Sequence, residues 1–273
     1  MNIRYLSPSA LSLFQEDPTG YIKRYILKES FEQSVPMALG SSFDAFVKNA
    51  LIKDIYGTLP AEYEINTLFE KQVSADHQSW AWAEGKALFD MYVEQGAYDD
   101  LLYDMGDCKP VFEVRLEAEI AGVPVVGYPD CYYYKDGKLH ILDWKCNGAA
   151  SPFKYYVKQR PKNVPYKEET DCFSNINKKW AMQMTVYGLM LGEEDFELQI
   201  EQVLTKNGRC ITYKAPVSEE FKEQIITDLV DTWERVQRGM YFKELSEDEN
   251  KATVDRMIKF HQMENVHPLL RRF

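Results

Sequence analysis

Three scarcities narrow the field before any motif is read. Of 273 residues only five are cysteines: Cys108, Cys131, Cys146, Cys172 and Cys210. None stands in a CxxC pair, and an odd, scattered set points to reduced thiols, not to a disulfide framework or a zinc site. No apolar run approaches the roughly 20 residues that span a bilayer, and Met1-Asn2-Ile3-Arg4 does not open a signal peptide. A soluble, cytoplasmic protein is therefore expected. Positive charge is also short. A net charge of −11 argues against a protein that binds nucleic acid over its whole surface, while leaving room for a local basic track. No internal repeat, linker or helicase motif is visible.

Aromatic residues are plentiful, with 18 Tyr, 14 Phe and 5 Trp, which excludes a disordered chain. Ser7-Pro8-Ser9-Ala10 is a helix start, with Ser7 able to cap and Pro8 suited to the first helical position. Pro18 interrupts or divides that helix. Residues 40–55 form a second helix, with Phe43, Phe46, Val47 and Leu51 on one face. Residues 62–105 carry two more helical segments, the longer from about Gln78 to Asp104. At Lys109-Pro110 the period changes to two. Phe112, Val114, Leu116, Ala118 and Ile120 share one strand face, and Glu113 and Glu117 fall on the other, read as solvent-facing, with the alternative that they add a supporting carboxylate to a site. Residues 175–192 are helical. Asn207-Gly208 turns a hairpin between residues 198–204 and 210–213. Ser218 caps a long helix to about Gly239, and residues 247–263 have helical potential.

The chain is organised around residues 127–148. Residues 123–134 read as one strand, Lys135-Asp136-Gly137-Lys138 as a turn, and residues 139–145 as a second strand. Asp130 lies on the first strand. Asp143 and Lys145, two apart, project from one face of the second, with Trp144 opposite. Two carboxylates and an ammonium on one side of a sheet are costly to bury unless paired, and a divalent cation would pair them. The alternative is an ordinary ion pair on a hairpin surface. Asp-x-Lys alone decides nothing, since about one such triplet is expected by chance in a chain of this size.

Several motifs in order carry more. Leu6-Ser7-Pro8-Ser9-Ala10-Leu11-Ser12-Leu13-Phe14, with Pro18 and Tyr21, resembles the S-x-S-x-L-x-x-F-x-x-C-P-x-x-F opening of RecB-type nucleases. Gly40-Ser41-Ser42-Phe43-Asp44 resembles their G-x-x-x-H helix. Gly127-Tyr128-Pro129-Asp130 and Leu142-Asp143-Trp144-Lys145 resemble their G-x-x-D and D-x-K strands. Gln183-Met184-Thr185-Val186-Tyr187 resembles their Q-x-x-x-Y helix. Together these resemble the PD-(D/E)XK nuclease superfamily, in the branch of RecB and AddB nuclease domains and of CRISPR-associated and phage exonucleases. The likeness covers roughly residues 6–190. It implies an α/β fold with a mixed central sheet flanked by helices in α-β-β-β-α-β order, which agrees with the period reading. One domain over residues 1–273 is expected, with a helical part to about 108, a catalytic core over about 109–240, and a helical tail over 241–273.

The resemblance also implies roles. Asp130 and Asp143 would ligate Mg²⁺ or Mn²⁺, with the Trp144 carbonyl completing the shell and Asp44 a third carboxylate where the family has histidine. Asp44 is otherwise a solvated helix-edge acid. Lys145 would orient water or neutralise developing charge. Gln183 and Tyr187, four apart on a helix face, would line the site; otherwise they pack that helix on the sheet. The cysteine that some relatives give to an iron–sulfur cluster is Asp17 here, so no such cluster is expected. Residues 151–180 hold seven cations against three acids. Lys154, Lys158, Arg160, Lys162, Lys178 and Lys179, interleaved with rings such as Trp180, form either a track for single-stranded or end-bound DNA or a solvated loop. The expected activity is a metal-dependent DNA nuclease, an exonuclease of replication, repair or recombination in a bacterial or phage-infected cell, with any helicase or recombination protein a separate partner. The alternative is a nuclease-fold subunit that binds DNA ends or a partner with reduced or no activity.

Overall fold

The helix start at Ser7 is built as its chemistry predicts. In the computed structural model, which describes residues 3–148, 158–159 and 170–266, Ser7 Oγ accepts from the Ala10 N–H at 3.2 Å and Pro8 leads helix α1 (Pro8–Glu16). Asp17 both ends α1 and caps α2 (Pro18–Tyr21), so Pro18 divides the helix. A π-helical turn over Ile22–Ile26 follows. Helix α3 (Val35–Tyr56) begins earlier than its apolar face suggests and closes on Gly57 in the left-handed conformation. Three helices, not two, fill the next stretch: α4 (Ile65–Gln72), α5 (Ala75–Glu94) and α6 (Ala97–Met105). The expected long helix breaks because Gly96 takes φ 71°, a conformation an α-helix cannot continue through.

The strands are β1 (Val111–Phe112), β2 (Leu116–Ile120), β3 (Val123–Gly127), β4 (Cys131–Lys135), β5 (Lys138–Asn147) and β6 (Lys158–Gln159). Helix α7 (Lys178–Leu191) leads to β7 (Phe196–Leu204) and β8 (Arg209–Pro216), and α8 (Glu219–Arg238) and α9 (Glu247–Val266) end the described chain. Six strands form one mixed sheet in the order β1-β4-β5-β7-β8-β6, with β5 and β7 parallel and the other neighbours antiparallel. Read as α3, β1, β4, β5, α7, β7, this is the expected α-β-β-β-α-β order. A two-stranded sheet, β2 with β3, is inserted into it.

That insertion corrects two strand readings. Residues 112–120 are not one strand, because Glu113 adopts φ 48° and breaks it. Residues 123–134 are not one strand either: β3 and β4 belong to different sheets, separated by Tyr128-Pro129-Asp130. Pro129 has no N–H to give to a ladder, so Asp130 sits just before a strand and not within it.

The chain divides into two compact units. Residues 1–31, 117–127 and 222–273 form one, with a core that includes Phe14, Tyr21, Ile22, Val236 and Tyr241. Residues 32–116 and 128–221 form the other, which contains the six-stranded sheet and a core including Phe43, Val47, Tyr92, Tyr133, Leu142 and Trp144. In this second unit α3 and α5 approach closely. Ser42 Oγ donates to the Ala81 carbonyl at 2.7 Å, and a Cβ on Gly85 would fall 2.0 Å from that hydroxyl. The contact fixes the helix that carries Asp44. Among the described residues no helix is long and apolar enough to cross a membrane.

Candidate active site

Strand period places the first part of the site. On β5, Leu142 and Trp144 turn into the core, so Asp143 and Lys145 emerge together on the other face. Asp143 is 3 % exposed, and Lys145 Nζ donates to its Oδ2 at 2.7 Å. Cys131 is registered opposite Leu142, which brings Asp130, released from the ladder by Pro129, alongside the Asp143-Trp144 backbone. There the Trp144 N–H donates to the Asp130 carboxylate, and the Asp130 and Asp143 carboxylates feel each other's charge. The structure thus brings together the two acids and the amine.

A second cation, which the sequence reading missed, joins them. Lys48 is 1 % exposed, and its Nζ lies 2.7 Å from Asp44 Oδ2, 2.8 Å from Glu113 Oε1 and 3.5 Å from Asp130 Oδ1. Gln72, on α4, ties the same acids, its Nε2 donating to Asp44 at 3.1 Å and to Glu113 at 2.8 Å. Glu113 is therefore not a solvent-facing strand residue: its left-handed backbone turns it inward. The available signal was the Asp44–Lys48 spacing of four, which puts both on one helix face but does not say that the face is buried.

Burial and like charge set the protonation of these groups. Asp44 is pushed up to about 6, chiefly by burial, with the Lys48 charge opposing and Asp130 and Glu113 adding to the rise. Asp143 is pushed up to about 7 by burial; Lys145 opposes and the adjacent Asp130 carboxylate reinforces. Burial would raise Asp130 too, but the charges of Lys48 and Lys145 and the hydrogen bond from the Trp144 N–H hold it below the usual carboxylate range. Burial disfavours both ammonium groups, yet the surrounding acids outweigh it and hold Lys48 and Lys145 charged.

Gln183 and Tyr187 share the face of α7 as expected, Gln183 Nε2 donating to the Tyr187 hydroxyl at 3.4 Å. Tyr187 is buried and its pKa is pushed up to about 12. Burial is the main cause, Asp143 and Asp130 add to it, and hydrogen bonds with Gln183 and the Tyr128 N–H oppose it. Lys178 and Lys179 are exposed in the first turn of α7, where Asn177 caps the helix, and the half-buried Trp180 ring lies 6.0 Å from Tyr213. Lys154, Arg160, Lys162 and the side chain of Lys158 lie outside the described residues, as does most of the 151–180 stretch before Thr170. Within it the backbone of Lys158–Gln159 pairs with Thr212 and Ile211 of β8.

The donor set fits a hard divalent cation. Among the described residues no three His, Cys, Asp or Glu side chains already close on one point. Even so, Asp143 Oδ1 and Asp44 Oδ1 are buried carboxylate oxygens with no hydrogen-bond partner, an arrangement that is costly without a cation. Four carboxylates (Asp44, Glu113, Asp130, Asp143) face two ammonium groups within the cluster (Lys48, Lys145), which fully ionised carries −2, while the exposed Lys71 lies 3.8 Å from Glu113 at its rim. All-oxygen ligation suits Mg²⁺ or Mn²⁺.

The family model described as the PD-(D/E)XK nuclease superfamily matches residues 5–251. A crystal structure of a protein named as a candidate exonuclease, from Eubacterium rectale, is similar with a TM-score of 0.53 at 16 % identity, over 89 % of this chain and 83 % of that one. A second solved structure, SSO0001, matches with a TM-score of 0.30 at 14 % identity over 83 % and 84 % of the two chains, too distant to support any argument. No curated protein matches the chain.

Proposed function

Since the chain belongs to the PD-(D/E)XK nuclease superfamily, we propose that it is a Mg²⁺- or Mn²⁺-dependent deoxyribonuclease that degrades DNA from its ends, in replication, repair or recombination. The observation that carries the reading is the half-buried −2 cluster with buried, unpartnered oxygens on Asp143 and Asp44. Asp130 and Asp143 would hold the ion, helped by the Trp144 carbonyl and Asp44. When bound, such an ion lowers the pKa of water and stabilises charge on phosphoryl oxygens.

The chain's own groups do the rest. Lys145, held charged by Asp143 and Asp130, orients the attacking water or neutralises the charge that develops on the phosphate. Tyr187 stays protonated at working pH, so its hydroxyl can donate to a substrate oxygen while Gln183 steadies it. Lys178, Lys179 and Trp180 extend the site towards a DNA strand, with Lys154, Lys158, Arg160 and Lys162 continuing the track. End dependence is supported by the absence of any target-recognition motif in the sequence, and it agrees with the name of the Eubacterium rectale protein. We take both compact units as parts of one nuclease domain, because the family match runs through both.

A nuclease-fold DNA-end-binding subunit of reduced activity is the second reading, favoured by the commitment of Asp44, at the family's histidine position, to Lys48. Digestion of end-labelled linear and circular DNA with Mg²⁺, Mn²⁺ or chelator separates the two. Metal-dependent loss of linear DNA alone, abolished in Asp143→Ala and Lys145→Ala, is expected. Binding of ends without cleavage under any condition would establish the second reading instead.

A further inference from the structure

We propose that Lys48 is a permanent cation of this centre and limits it to one divalent ion, bound on the Asp130–Asp143 side. The inference rests on the metal reading above. Asp44 comes from α3, Glu113 from the turn after β1 and Asp130 from the break before β4, and one oxygen of each lies 2.7, 2.8 and 3.5 Å from a single ammonium. An ammonium has three protons to donate; Lys48 gives two of them in hydrogen bonds to Asp44 and Glu113 and holds Asp130 as an ion pair. Gln72 donates to the Asp44 and Glu113 oxygens that Lys48 also contacts. On this side one oxygen of each acid faces Lys48, and Asp44 keeps Oδ1 without a partner. On the other, Asp143 has one oxygen on Lys145 and one buried oxygen with no partner.

Charge leads to the same count. One divalent ion brings the −2 cluster to neutrality. A second would leave it at +2 in a pocket where an unpaired buried charge is expensive. Without the Lys48 ammonium the acids would stand at −3 and three carboxylates would surround an empty position, which is a site for a hard cation. Lys48 acts through the ligands and does not touch the reacting atoms, so it is a positioning residue.

Titration of the metal-stripped full chain with Mn²⁺ alone, followed by calorimetry and by the decline of the free-ion paramagnetic resonance signal, tests this without DNA or turnover. Wild type is expected to bind one ion per chain, Asp143→Asn none, and Lys48→Met two, with the melting temperature of Lys48→Met falling in chelator and recovering in Mn²⁺ by more than wild type gains. Two ions on wild type would overturn the proposal while leaving the metal reading intact. No ion on wild type would overturn the metal reading and the proposal with it. A folded Lys48→Met that binds one ion would show that the ammonium does not occupy a second position. Should Lys48→Met not fold, Lys48→Gln replaces it, and the wild-type count alone still decides against the proposal at two or none.

Discussion

At the scale of single residues, the chemistry depends on which groups keep their protons. Tyr187 is separable by experiment from its own ring. Its hydroxyl is hydrogen-bonded to Gln183 and feels the charges of Asp143 and Asp130, while the ring is buried against the sheet. Tyr187→Phe keeps the packing and removes only the donor, so single-turnover kinetics should show kcat reduced by roughly ten-fold, the worth of one hydrogen bond at a reacting centre, with KM for DNA nearly unchanged. An unaltered kcat would make Tyr187 a packing residue. The residues readable in the sequence were those whose partners are near in the chain: Asp143 and Lys145 share a strand face two residues apart, and a short hairpin connects them to Asp130. Lys48, Gln72 and Glu113 were not readable as a cluster, because three separate elements must fold before their side chains meet.

At the scale of elements, the parallel pairing of β5 with β7 does more than close the sheet. Its register sets His140 opposite Glu197, with His140 Nδ1 3.2 Å from the carboxylate, and β8 adds Lys214 at 3.3 Å. Burial would raise Glu197, but the adjacent His140 ring and the charge of Lys214 outweigh it and hold the carboxyl below the usual glutamate range. A depressed pKa contributes stability above the unfolded-state value, about 4.3, and loses it as pH falls through the folded value. Wild type should therefore exceed Glu197→Gln by about 1 kcal/mol in denaturant melts near pH 6, and the gap should close below about pH 4. A gap that persists at low pH would mean that the pair is packing and not charge. Turn chemistry made many elements readable in advance: Ser7-Pro8, Asp136-Gly137, Asn207-Gly208 and Ser218 stand where they were expected. The two broken strands were misread because side-chain alternation continues across Glu113, and β-branched and aromatic content across Pro129, although backbone pairing does not. The proline was a visible reason to divide the second; nothing local announces the left-handed Glu113.

At the scale of the whole molecule, an acidic protein must still approach a polyanion. Net charge −11 opposes DNA, so binding should lean on the local cations and weaken sharply with salt. Replacing Lys178 and Lys179 together by alanine should reduce the slope of log K against log salt by about 1.4 for a single strand, roughly 0.7 for each phosphate no longer neutralised. Fluorescence anisotropy over a salt series measures it, and an unchanged slope would remove the first turn of α7 from the DNA track. The overall architecture was readable because the order of helix and strand periods is that of the matched superfamily. The division into two compact units was not, since the β2–β3 hairpin joins its unit through a bridge between Leu6 and Val125, residues distant in sequence.

The two-residue strand Lys158–Gln159 lies along the outer edge of β8. A bare sheet edge is a template for adding strands from other molecules, and here part of that border is covered by the same stretch that holds most of the chain's concentrated positive charge. On the reading proposed above, substrate capture and protection of the sheet edge fall to one segment of the sequence. Trimming it to change what the protein grips would also strip the margin of the sheet and invite chains to stack on one another.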